Sequence, residues 1–295
     1  MTLVHYILLK KRLTLNKLIL EPGLVTVVIP AYSASKSIHK TVKSAIDQTY
    51  APKCIVIAVN GQDETIVEAL KIRETYSQIS ICVLYPLTHV LTASENWTRA
   101  SQSSSTKYTK LLCADDVLHP SILEEQVKFL EDNSNCSFVG SSRMVKQSNG
   151  TVIFKKIGGL LLTKVNSYQR TRLACTLSGT NVLGEPSAIL FRTETLKANL
   201  PWDESNPYVL DLEMYLRLLK SENTCAGFIP KPLCDFIVHS KSWSKELHRS
   251  QSEDFISLLA DNWKMARFSR TSVLIVRIIS RVNQFVRKVI YTRLT

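Results

Sequence analysis

The stretch Tyr108-Thr-Lys-Leu-Leu-Cys-Ala-Asp-Asp116 joins a short apolar run to two adjacent acids. Its apolar part is the fourth of four similar runs along the first part of the chain; the other three are Leu24–Ile29, Cys54–Val59 and Ser80–Tyr85. Helical patterns follow three of these runs, and the clearest is the apolar stripe of Ile38, Val42, Ala45 and Ile46. Strands that alternate with helices predict an α/β fold with a mostly parallel sheet flanked by helices.

The two acids at the end of the fourth run are candidates for a metal site. In an open parallel sheet, ligands bind at the carboxyl ends of the strands, so Asp115 and Asp116 are expected to face that crevice. Adjacent carboxylates repel each other, and Mg2+ or Mn2+ relieves the repulsion and can also bind a diphosphate. A solvated loop with an acid that caps the helix near Pro120 explains the pair equally well.

A second candidate is Asp211, near the start of a helix expected over about Leu210–Ser221. The helix dipole stabilises an anion there, so the carboxylate is expected to be ionised and able to act as a general base. An ordinary acid at a helix N-terminus is the alternative, and Glu213 would serve that role equally well. Shorter strands are expected near Ser137–Gly140 and Ala188–Arg192.

Two further segments could contact a ligand. The turn Gly184-Glu-Pro186 is shaped by its glycine and proline, and Glu185 could hydrogen-bond a polyol. His239 could bind a metal or a phosphate, although a lone histidine is more often structural.

Composition and charge exclude several classes of protein. The 295 residues are 45% hydrophobic and 21% charged, which excludes a disordered chain, a collagen-like fibre and a small disulfide scaffold. Seven cysteines without a CxxC motif argue against a disulfide framework and a zinc site. Of the net charge of +12, residues 1–20 contribute four basic residues and residues 262–295 eight, with no acid in either. An electrostatic partner is therefore expected at the ends of the chain.

The C-terminal residues 271–295 predict an amphipathic helix. On a helical wheel, apolar residues cluster around Val282, and Arg277, Arg287 and Lys288 lie on the far side. Such a helix can lie on an anionic membrane surface, or it can pack on the catalytic domain or a second subunit. The absence of acids favours the membrane. With no secretory signal and no apolar run of about 20 residues, we expect a cytoplasmic protein, peripheral on the inner face of the membrane.

Six short motifs occur in the order seen in glycosyltransferase family 2, and the chain resembles that family over roughly residues 24–244. The motifs are Thr26-Val-Val-Ile-Pro-Ala-Tyr32, Asp47-Gln-Thr-Tyr50, Glu95-Asn-Trp97, Tyr108–Asp116, Gly184-Glu-Pro186 and Asp211…Leu-Arg-Leu218. Each is short, but six in the same order make a chance match rare.

The resemblance implies a GT-A fold, which is Rossmann-like, with a C-terminal helical extension. It divides the chain into a basic segment (1–21), a catalytic domain (22–244) and a basic amphipathic tail (245–295). Within the catalytic domain, the nucleotide-sugar half covers about 22–117 and the acceptor half about 118–244.

The resemblance also implies roles for single residues. The donor, most readily a UDP-sugar, would contact Pro30, Tyr32, Asn60 and Asp115, with Tyr32 against the base and Asp115 near the ribose. A divalent cation, Mn2+ or Mg2+, would be held by Asp116 and His239. The acceptor would contact Gly184, Glu185 and Pro186, and Asp211 matches the aspartate that deprotonates the acceptor hydroxyl.

Three positions depart from the family pattern. Asn60 stands where an aspartate usually contacts the base, so the nucleotide is open, because an amide can donate as well as accept. Cys113 replaces a frequent first acid of the metal motif, and Ile237 replaces a frequent arginine.

The leading hypothesis is therefore a metal-dependent, inverting glycosyltransferase that acts on a polysaccharide or lipid-linked acceptor. One alternative is a nucleotide-sugar-binding or scaffold protein without catalysis at the membrane surface, motivated by Asn60 and Cys113. A nucleic-acid-binding protein is disfavoured, because the basic ends carry few aromatic residues and no stacking motif.

Overall fold

The computed structural model describes residues 23–239, 250–263 and 270–293. The predicted N-terminal segment 1–21 and the first part of the tail, up to residue 249, lie outside them. The strands are β1 (Val25–Tyr32), β2 (Cys54–Asn60), β3 (Ile81–Leu84), β4 (Tyr108–Leu111), β5 (Val117–Leu118), β6 (Cys136–Gln147), β7 (Val152–Ile157), β8 (Val165–Asn166), β9 (Ile189–Arg192) and β10 (Cys225–Val238). The α-helices are α1 (Ile38–Ile46), α2 (Glu64–Thr75), α3 (Ala93–Gln102), α4 (Ile122–Asp132), α5 (Tyr168–Ser178), α6 (Thr193–Ala198), α7 (Leu210–Leu218), α8 (Gln251–Trp263) and α9 (Arg270–Arg293).

The strands within these ranges join one sheet in the order β3-β2-β1-β4-β9-β6-β10-β5, with β7 on β6 and β8 on β10. β1 is parallel to β2 and β4, and β2 is parallel to β3. β9 lies antiparallel between β4 and β6. The carboxyl ends of β1, β2 and β4 therefore meet at one edge of the sheet, and the predicted α/β architecture is confirmed.

Apolar layers on both faces of the sheet hold the helices. Val27 and Ile29 of β1 belong to a buried cluster that includes residues of α1 and α4. Val28, which points to the opposite face, belongs to a second cluster with Met214 and Tyr215 of α7. A strand buried on both faces needs a continuous apolar run, which is the pattern that made β1 recognisable in the sequence.

The longest strand, β10, was not predicted from the sequence. Pro230 and Pro232 interrupt it, and the register with β6 shifts between Ile229 and Pro232 and again between Pro232 and Asp235. A proline has no N–H for the ladder, so these irregularities hide the strand pattern. The predicted strand near Ser137–Gly140 is the first part of the longer β6.

The predicted C-terminal helix is present as α9, and α8 precedes it. Val276 of α9 is buried in a third apolar cluster, where it lies with Leu258 and Leu259 of α8 and Cys175 of α5. Across the described ranges, no helix combines the length and apolarity that a membrane span requires.

Candidate active site

The two adjacent acids after β4 have different environments. Asp116 is 0% exposed, and its Oδ2 accepts a hydrogen bond from Ser187 Oγ at 2.5 Å. Its Oδ1 accepts from the backbone N–H of Ile237 at 2.9 Å. Burial, and then the charge of Asp115, raise the pKa of Asp116 well above its usual range. Asp116 therefore links the turn after β4 to β10, and its carboxylate has no exposed surface.

Asp115 follows β4 at the edge of the sheet where the parallel strands end, and its Oδ2 is 3.0 Å from Nε2 of His239. His239 directly follows β10 and is 124 residues away along the chain, so the sheet brings the two together. Both side chains are about one-third exposed. The structure thus joins two predicted site residues, but the acid beside His239 is Asp115, not Asp116.

Asp115 and His239 are adjacent, partly exposed side chains that could both ligate a divalent cation. In the part of the chain that the structure describes, no three His, Cys, Asp or Glu side chains form a metal-binding group by themselves. A hard divalent cation that keeps waters and substrate phosphates among its ligands needs only one or two protein groups. One carboxylate and one imidazole fit that requirement.

Asp211 lies in the first turn of α7, as predicted. Its Oδ2 accepts from the Asn181 side-chain N–H at 2.8 Å, and its Oδ1 accepts from the N–H of Leu212 at 2.7 Å. Burial, followed by the negative charge of Glu185, raises the pKa of Asp211 to about 7. The expected stabilisation of the anion by the helix dipole is therefore outweighed by burial. Glu213, the alternative acid, instead pairs with Arg217 at 2.9 Å.

Glu185 forms an ion pair that the sequence did not reveal. Arg143 of β6 is buried; its Nη2 donates to Glu185 Oε1 at 2.8 Å, and its Nε contacts Oε2. Gly184 precedes the acid with φ +114°, and a Cβ there would lie 3.1 Å from the Cβ of Ala188. Pro186 then begins a short 3-10 helix. The predicted acceptor turn thus carries a carboxylate held by a buried guanidinium.

The other predicted donor residues, Pro30, Tyr32 and Asn60, differ in how much of their side chains is exposed. Tyr32 ends β1 with 62% of its surface exposed, and its ring lies beside Gly61, whose added Cβ would be 3.4 Å from Tyr32 Cε2. Asn60 is buried, and its amide both donates to and accepts from the backbone of Leu91, each at 2.9 Å. Pro30 is buried within β1. Of these three, Tyr32 has an exposed side chain, and Asn60 holds the loop before α3.

Sequence reasoning missed two buried charges, Arg143 and Lys110. Lys110 of β4 is fully buried, and its Nζ donates to Gln126 Oε1 at 3.0 Å. Burial lowers the pKa of Lys110 to about 7. A single charge inside a strand is the sequence signal that could have drawn attention to both residues.

Comparisons with known proteins agree with this architecture. A family model described as glycosyltransferase-like family 2 matches residues 22–250. A structure of Staphylococcus aureus TarS (fragment 1–349) in complex with UDP has 16% identity and a TM-score of 0.55, covering 85% of this chain and 69% of that one. The mannosyltransferase PcManGT of Pyrobaculum calidifontis, in complex with GDP-Man and Mn2+, has 15% identity and a TM-score of 0.60, covering 94% and 76%. Among curated protein sequences, none matches significantly. At these identities the two structures establish a shared GT-A fold.

Proposed function

We propose that this protein moves a sugar from a nucleotide-sugar donor to an acceptor hydroxyl, with inversion at the anomeric carbon. The chain belongs to glycosyltransferase-like family 2 and is a glycosyltransferase. The observation that carries this proposal is the state of Asp211, whose carboxylate is held by Asn181 and has a pKa of about 7. A general base works best when its pKa lies near the working pH.

The proposed reaction is one displacement at the anomeric carbon. The acceptor oxygen attacks that carbon and gives its proton to the Asp211 carboxylate, while the bond from the carbon to the diphosphate oxygen breaks. The nucleoside diphosphate leaves with the bonding electrons. Asn181 keeps the Asp211 carboxylate oriented throughout. Arg143 holds the carboxylate of Glu185 in position near Asp211.

We assign the metal to Asp115 and His239 in place of Asp116 and His239. The support is that Asp116 is buried with both oxygens bonded inside the protein, whereas Asp115 and His239 are accessible and adjacent. A divalent cation held there would neutralise charge on the leaving diphosphate. This assignment replaces the expected contact of Asp115 with the ribose.

The donor is proposed to place its base against the exposed ring of Tyr32. Among the similar structures, TarS holds UDP and PcManGT holds GDP-Man, so both kinds of base occur on this fold. We keep a UDP-sugar as the first donor to test. Asn60 is not assigned to the base, because both polar atoms of its amide are bonded to Leu91.

The acceptor is proposed to be a glycan or a lipid-linked oligosaccharide of the cell envelope, at the inner face of the cytoplasmic membrane. Gly184, Glu185 and Pro186 form the wall of the acceptor side, next to Asp211. The support for a membrane is the set of apolar and basic side chains that α9 exposes.

The proposal is tested by Asp211→Asn, with Glu213→Gln on the same helix as the matched control. We expect turnover of the donor with acceptor to fall by at least about 100-fold, the usual contribution of a general base. Donor binding, measured by calorimetry with Mn2+, is expected to be retained.

Equal turnover by Asp211→Asn and the control would contradict the role of Asp211. Metal-dependent donor binding without turnover by the unmodified protein, across a panel of nucleotide sugars and acceptors, would favour the non-catalytic alternative.

A further inference from the structure

Helix α9 has one face on the protein and another in solvent. Val276 and Ser280 are buried, and Asn283 bonds to the end of α5. Five large apolar side chains on the other side are between 47% and 66% exposed: Leu274, Ile278, Val282, Phe285 and Val286. We call these five residues the outer stripe. Their spacing keeps them on about one-third of the helix circumference. The protein therefore accounts for only part of the apolar surface of α9.

The outer stripe is bordered by positive charge. Arg277, Arg281 and Lys288 are exposed and fall together along one border of the stripe at 3.6 residues per turn. Residues 262–295 contain eight basic residues and no acid. Exposed apolar side chains beside a basic row are the pattern of a helix that lies in the plane of an anionic lipid surface.

A second copy of the chain fits this surface less well. A two-fold interface would place the same patch of each copy against the other. Each basic row would then lie beside the α9 helix of the other copy, which contains no acid to pair with it. An anionic bilayer supplies both the apolar layer and the negative charge.

The inner face of α9 contacts the segment that holds the proposed base. Asn283 donates to the carbonyl oxygens of Ser178 at 2.7 Å and Gly179 at 3.1 Å. Gly179 has φ +61°, and a Cβ there would lie 2.9 Å from the backbone N of Ser280, so the two helices are in close contact. Two residues further on, Asn181 donates to Asp211. One short turn thus separates α9 from the base.

We propose that the outer stripe of α9 docks on an anionic membrane surface and brings the Asp211 side of the active site next to acceptors carried in that membrane. Docking on the membrane is inferred from α9 alone. The placement of the active site next to membrane-borne acceptors rests on the proposed function. Leu173 and Leu177 of α5, the helix whose end Asn283 contacts, are also exposed.

The test is sedimentation of the full chain with vesicles of phosphatidylcholine, with and without phosphatidylglycerol, in the absence of donor. We expect binding to phosphatidylglycerol vesicles and at least about tenfold weaker binding to phosphatidylcholine alone. The double variant Ile278→Ser/Phe285→Ser and the double variant Arg277→Gln/Arg281→Gln are each expected to lose most of this binding. Val67→Ser is the control, because Val67 is 49% exposed on α2, away from α9.

Several outcomes would overturn the docking proposal. One is vesicle binding by both double variants equal to that of the control, at unchanged unfolding temperatures. Another is the absence of vesicle binding together with a dimer, measured by light scattering, that Ile278→Ser/Phe285→Ser dissociates. Since vesicle binding is measured without donor, binding by a chain that lacks transferase activity would reject the proposed function and leave docking intact. A chain that transfers sugar but never binds vesicles would reject docking alone.

Discussion

The proposed donor side and the proposed acceptor side of the site hold their charged groups in different ways. On the donor side, Asp115 and His239 are accessible and contact each other at the rim of the crevice. On the acceptor side, Asp211 is bonded by Asn181, and Glu185 is held by the buried Arg143. Asp115 and Glu185 are exposed to a similar extent, 31% and 28%, so what distinguishes the two sides is the buried guanidinium of Arg143 that holds Glu185. The burial of a partner, and not of the carboxylate itself, thus sets one side apart from the other.

The largest expected effect on stability comes from breaking the buried pair. Glu185→Leu leaves the buried guanidinium of Arg143 without its partner and is expected to lower the free energy of unfolding by about 3 kcal/mol, as for other buried charges that lose their partner. Urea unfolding measures this. The control is Lys231→Met, whose pair with Glu125 is exposed and is expected to contribute less than about 1 kcal/mol. Equal losses in the two variants would remove the distinction between the two sides.

A smaller effect separates the adjacent acids Asp115 and Asp116. Asp116→Ala removes the acceptor of the Ser187 and Ile237 hydrogen bonds and is expected to cost about 2 kcal/mol of unfolding free energy. Asp115→Ala is expected to change it by less than about 0.5 kcal/mol, as at other accessible positions. Asp115→Ala should instead abolish the Mn2+ dependence of donor binding. If Asp116→Ala alone abolished that dependence in a folded protein, the metal assignment would return to Asp116.

The smallest effect is a shift in pH dependence. As the proposed base, Asp211 must be deprotonated to accept a proton, so activity is expected to rise with pH through about 7, with about one-tenth of the pH 8 value remaining at pH 6. Glu185→Gln removes a negative charge that raises this pKa and leaves Arg143 uncompensated, and both changes lower the pKa. The ratio of kcat at pH 6 to that at pH 8 should therefore increase several-fold. An unchanged profile would show that another group controls it.

The sequence predicted the parallel half of the fold because β1, β2 and β4 are continuous apolar runs, and it identified Asp115, Asp211 and His239 as candidates. It could not divide roles between Asp115 and Asp116, since the difference is created by Ser187 and Ile237, which are distant along the chain. Asn60 was expected at the base, but its amide is used by Leu91, a contact with no local signal. Arg143 was missed because the predicted strand ended at Gly140, three residues before it. Nothing in the sequence therefore suggested a pairing of Arg143 with Glu185.

The hydrogen bond between Asp116 and Ile237 also bears on the order in which the molecule is assembled. It joins positions 121 residues apart, so the turn that carries Asp115 cannot be completed while only the first half of the chain has emerged during synthesis. Until β10 is in place, the carboxylate of Asp116 lacks one of its two donors. All but one of the proposed donor residues come early in the sequence, yet the turn that carries Asp115 gains its bond to β10 only after residue 237 has been synthesised.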